Sequence, residues 1–80
     1  MNITQDYATT DITLAAVLKE QSYQLDRIVL QGNKGIFWFT DVDHSVIRDY
    51  ECGKVKVEPQ AFHNQIKILT TAVKRQFNKA

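Results

Sequence analysis

The chain is poor in the residues that mark secreted, disulfide-built or membrane-embedded proteins. It has one cysteine, Cys52, so no disulfide can close within it, and a small scaffold stapled by disulfides is excluded. Its one proline, Pro59, and three glycines fall where elements change, which excludes collagen-like and linker-rich chains. Apolar runs are short: the longest, 14–18 and 36–39, are far from the roughly 20 residues that span a bilayer. Met1 to Asp6 carries neither a basic segment nor an apolar one of the kind found in secretory leaders. The match of Asn2-Ile3-Thr4 to a glycosylation sequon is then accidental. Together with the lone thiol, these features lead us to expect a soluble, cytoplasmic protein.

What is present is ordinary globular material. Of 80 residues, 44% are hydrophobic, well above a disordered composition. A chain of this size buries only roughly 60–65% of its unfolded surface, enough for one modest core and no second catalytic lobe. We expect a single domain over 1–80, with 1–8 as an arm or edge strand and 9–78 as the compact part. The formal charge of +1 hides an asymmetry. Residues 1–53 carry four basic against eight acidic side chains, whereas residues 54–80 carry six against Glu58 alone.

Hydrophobic spacing places the elements. Ile12, Leu14, Ala15, Ala16, Val17 and Leu18 predict an amphipathic helix over 11–21, with Thr9 or Thr10 as its N-cap. No glycine ends that helix, and Ser22 must serve at the corner. Residues 23–31 read as a strand whose register slips between Leu25 and Ile28, the mark of a bulge or a change of face. Gly32-Asn33-Lys34-Gly35 reads as a hairpin turn, and Ile36-Phe37-Trp38-Phe39 as a strand apolar on both faces. Asp41 or Asp43 caps a helix over 44–52, stopped by Gly53. Val55 and Val57, flanking Lys56, predict a short strand, and Pro59 opens a last helix over 59–78. The expected fold is α+β: three helices on a small, mostly antiparallel three-stranded sheet, order (β)-α-β-β-α-β-α, with residues 1–8 available as a fourth short strand.

Four segments resemble a family of small bacterial and phage domains of unknown function. Thr9-Thr10-Asp11-Ile12-Thr13-Leu14-Ala15-Ala16-Val17-Leu18 is similar to its T-x-D-L-x-L-A-A-x-L helix, and Phe37-Trp38-Phe39 to its F-x-F strand. Tyr50-Glu51-Cys52-Gly53 is similar to its Y-x-x-G corner, and Val57-Glu58-Pro59-Gln60-Ala61-Phe62 to the V-x-P-x-x-F start of its final helix. The likeness spans about residues 7–77. It departs at Ser22-Tyr23, where that family usually has a glycine beside an aromatic or histidine. It implies an architecture and no activity.

Candidate chemistry is sparse. Asp41-Val42-Asp43-His44 could hold a divalent metal, but as a calcium loop it lacks the glycine and the last glutamate, and helix capping explains both aspartates. Cys52 with His44 or His63 could form a thiolate–imidazole pair, yet a helix C-terminus raises a thiol pKa. Gly32 to Gly35 spells a G-x-x-G that clamps RNA when it lies between helices; here it joins strands. Lys34-Gly35-Ile36-Phe37-Trp38-Phe39 is similar to the aromatic strand of RNA-recognition motifs. Ile36, Phe37 and Asp41 depart from that pattern, so a packed core strand is favoured. We expect no enzyme, metal, cofactor, small-molecule substrate or membrane partner. Two readings remain. One is a homodimeric interaction module, with contact through Ile36, Trp38, Phe62, Ile66, Leu69, Val73 and Phe77. The other is weak nucleic-acid binding through Lys54, Lys56, Lys67, Lys74 and Arg75, with Lys79 completing the stripe on the last helix.

Overall fold

The computed structural model describes residues 4–79, with side chains from Gln5 to Asn78. Met1 to Ile3 of the expected arm, with most of the sequon, and the Lys79 side chain lie outside the described residues. The elements run β1 (Thr4–Thr9), α1 (Ile12–Glu20), β2 (Leu25–Gln31), β3 (Lys34–Asp43), α2 (His44–Glu51) and α3 (Pro59–Lys79). The sheet is three-stranded and antiparallel, order β1-β3-β2, with β3 in the centre.

Each boundary has a local cause. Asp11, rather than Thr9 or Thr10, caps α1: its carboxylate accepts from the amides of Thr13 at 2.9 Å and Leu14 at 3.4 Å. Thr9 acts one step earlier, its hydroxyl accepting from the Asp11 amide. α1 ends with Ser22 at φ 71°, where the Ser22 amide reaches Lys19 and the Tyr23 amide reaches Leu18. α2 ends in the same way on Gly53, at φ 70°. The hairpin is as expected: Gly32 at φ 63° and Asn33 form a two-residue turn that pairs Gln31 with Lys34. A positive φ at the first turn residue alone is the type II′ geometry that suits strand twist. At α3, Glu58 supplies the carboxylate that accepts from the Ala61 amide.

Two bulges decide which side chains face the helices. On β2, Leu25 pairs with Phe39 and Arg27 with Trp38, so Asp26 is the extra residue and Leu25 and Ile28 both turn inward. On β3, Thr40 and Asp41 stand opposite the single residue Asp6, and Asp41 takes φ 52°, a conformation aspartate tolerates better than most residues. The inserted residue flips the alternation, so Val42 joins Phe37 and Phe39 in the core.

The helices lie on one side of the sheet. The core combines Phe37, Phe39 and Val42 with Leu14, Ala15, Ala16 and Leu18 of α1, Ile47 of α2 and Leu69 of α3. Leu14 to Leu18 are all buried, and five consecutive helical residues cover the whole circumference, so α1 is enclosed rather than amphipathic along this stretch.

One expected element is missing. Residues 54–58 form no strand, and the order is β-α-β-β-α-α. Val55 and Val57 are half-buried beside Thr13, Val17, Tyr50 and Phe62. The Val-Lys-Val alternation records a segment with one covered side, and carries no information on a ladder partner.

Candidate functional site

Strand alternation sends the side chains neighbouring Phe37 and Phe39 to the opposite face of the sheet. There Trp38 lies between Ala8 of β1 and Arg27 of β2, and Ile36 lies beside Val29. None of these five belongs to the core or to the partly buried hydrophobics packed on it. Val29 is exposed, and Ile36 and Trp38 are half-buried. The Arg27 guanidinium sits 4.9 Å from the centre of the Trp38 ring and also pairs with Asp26. The cation over the aromatic face gives this surface a mostly apolar centre with a polar edge.

The residues expected at a dimer contact separate into three groups. Ile36 and Trp38 lie on the open face. Phe62, Ile66, Leu69 and Val73 pack instead within this chain, and Leu69 is 1% exposed, which removes it from any external contact. The broad apolar face of α3 is absorbed by the sheet and α1. Phe77, near the end of α3, is 37% exposed, and Ile68, on another side of the same helix, is 55% exposed.

The basic residues fall in three places. Lys67 and Arg75 line a shallow groove on α3 with Ile68, Thr71 and Ala72. Lys74 lines a different groove, shared with Lys34 of β3. Lys54 and Lys56 are exposed in the connection before Pro59, about 20 Å of helix away from Lys74 and Arg75. On α3 itself, Lys67, Lys74 and Arg75 share a sector of roughly 100°.

The titratable residues are dispersed. Asp43 caps α2, accepting from the Ser45 amide at 2.9 Å, and the Ser45 amide and hydroxyl hold its carboxyl below the usual carboxylate range. Asp41 is the bulge residue. His44 opens α2 and Cys52, an exposed free thiol, closes it, so about 12 Å of helix separates them. His63 lies exposed in the first turns of α3. Among the described residues, no three His, Cys, Asp or Glu side chains gather as a metal site would need. Tyr50 donates to Asp11 at 2.9 Å, tying α2 to the cap of α1; burial first, and this bond second, push its phenol above the ordinary value.

Arg27 and Val29 were not singled out in the sequence, yet counting back from the two-residue turn pairs Val29 with Ile36. The same count sets Arg27 opposite Trp38, and the Asp26 bulge shifts the register only beyond that pair. The fold and this surface define the class: a small two-layer α+β domain with helices on one face of its sheet and an apolar, arginine-capped patch on the other. Compared with protein-family models, curated proteins and solved structures, the chain matches none of the three. Among the described residues, no helix is long and apolar enough to cross a membrane.

Proposed function

We propose that this chain is a binding module without catalytic chemistry, which pairs with a second copy of itself through the open face of the sheet. The observation that carries this reading is the Trp38–Ile36–Val29 patch, which no part of the core covers. A sheet face that carries a tryptophan and two β-branched residues gains from being removed from water. A second copy fits because the surface carries both signs of charge: around its apolar centre, Arg27 and Asp26 give each copy a cation and an anion. Its near-neutral total charge leaves little repulsion between copies. The single, exposed, free thiol supports a reducing, cytoplasmic setting.

Sedimentation equilibrium at micromolar concentration tests the reading. We expect twice the 9.2 kDa chain mass, reverting to one chain mass in Trp38→Glu. A monomer in the unmodified chain overturns the proposal. A second reading, weak binding of a nucleic-acid backbone, draws on the shared sector of Lys67, Lys74 and Arg75. Mobility shifts with single- and double-stranded nucleic acid at two salt concentrations test it, and absence of binding at the lower salt removes it.

A further inference from the structure

A second surface, on the helix side of the sheet, has the composition of a small-molecule site. The beginning of α1, the second half of α3 and the start of β3 line an open groove of about 450 Å³, within the range of ligand clefts. Ile12, Phe37, Val73 and Phe77 form its apolar floor and wall. Gly35 lets the helix lie against the strand here: a Cβ in its place would meet Val73 at 3.1 Å. The polar residues of the lining are Thr10, Thr70, Lys34 and Lys74, with no acidic residue among them.

The two lysines come from separate elements, and each is exposed. Among the described residues the only ion pair is Arg27 with Asp26, so neither ammonium has a carboxylate partner. Two unpaired cations beside an apolar floor are complementary to a molecule with an anionic head and a hydrocarbon body. A carboxylate suits them, since its two oxygens can each accept from one ammonium while the threonine hydroxyls donate to the remaining lone pairs. We propose that this groove binds an amphiphilic carboxylate of the medium-chain fatty-acid type, with the head between Lys34 and Lys74 and the chain along Phe37, Val73 and Phe77. The site is independent of the open sheet face, and the proposal holds for a monomer or a dimer.

Titration of the ¹⁵N-labelled full chain with decanoate, below its micelle concentration, tests this. The expected result is a set of amide shifts centred on Gly35, Thr70 and Phe77. Lys34→Gln and Lys74→Gln should each weaken binding about tenfold, the loss of one charge-assisted hydrogen bond. Both lysines are exposed, so the fold survives their replacement, and dispersed amide spectra of the variants confirm it. Phe77→Ala should weaken decanoate and decanol alike. Decanol binding as tightly as decanoate reduces the site to a plain apolar groove, and acetate binding as tightly reduces it to a pair of cations; either result overturns the proposal. So does tighter binding of decyl phosphate, or a set of shifts centred on Trp38 and Val29.

Discussion

On the helix side of the sheet, Phe37 and Phe39 are 2% and 0% exposed, packed beneath three helices. One residue away on the same strand, Ile36 and Trp38 face outward, beside their register partners on the neighbouring strands. The four residues are consecutive and all strongly apolar, and their hydropathy does not distinguish them. The difference arises from the helices, which reach only one face, and on our proposal the second apolar row is left for a partner. An aromatic strand can therefore combine a folding role and a binding role, divided by strand alternation.

The largest effect that can break this contrast is in the core. Phe39→Ala should cost about 3–5 kcal/mol in denaturant unfolding. Trp38→Ala should cost the dilute chain less than about 1 kcal/mol, chiefly the stacking of Arg27. Raising the protein concentration should stabilise the unmodified chain but not the Trp38 variant. Equal losses from the two substitutions would mean that the two faces are energetically alike.

The next comparison lies within α3. Leu69→Ala should cost about 2–5 kcal/mol, whereas Ile68→Ala, at the adjacent exposed position, should stay within about 0.5 kcal/mol. A large loss at Ile68 would place a contact on the outer side of α3 and shift the search for a partner to that surface.

How much of this was legible beforehand depends on whether the signal was local. The hairpin followed from Gly32-Asn33, the last helix from Pro59 and its apolar spacing, and the slip on β2 from the odd interval between Leu25 and Ile28. The strand expected at 55–57 failed because alternation reports a covered side, and the cover there comes from helices. β1 was underrated as an optional strand because its residues are polar, while its partner, β3, lies some 30 positions away. Of the contact residues, Ile36 and Trp38 were placed on a surface. Leu69 is buried and Phe62, Ile66 and Val73 are half-buried against the core: helical periodicity identifies an apolar face without saying what covers it. Nothing in the sequence links Lys34 to the groove, since only the fold brings it into one lining with Lys74.

A smaller effect concerns the corner after α1. Ser22 holds a left-handed conformation that costs a residue with a side chain about 1 kcal/mol or more. Ser22→Gly should stabilise the chain by up to about 1 kcal/mol in thermal unfolding, and it leaves both faces of the sheet unchanged.

The smallest effects are in pH. The carboxyl of Asp43 is held low by the Ser45 amide, so its contribution is complete above about pH 4 and is lost as pH falls through the lowered value. Tyr50 is shifted the other way, by burial and then by Asp11; its contribution is complete below about pH 10 and is lost as pH rises through the raised value. Melting temperatures across pH should show a shallower acid limb in Asp43→Asn, which keeps the cap, and a shallower alkaline limb in Tyr50→Phe. Neither substitution should alter self-association, because both residues lie at the ends of helices and away from Trp38.

The central position of β3 also determines the order in which the molecule can assemble. β2 and β3 are joined by two residues and can close within microseconds once both are present. β1 is made first but pairs only with β3, so it waits while about 30 more residues are added, a delay of roughly 2–6 s at about 5–20 residues per second. During that interval α1, apolar around its whole circumference, has neither a sheet nor α3 to cover it. The newborn chain thus contains its most apolar helix before the strand that covers it, and the core cannot close until β3 and then α3 have been added.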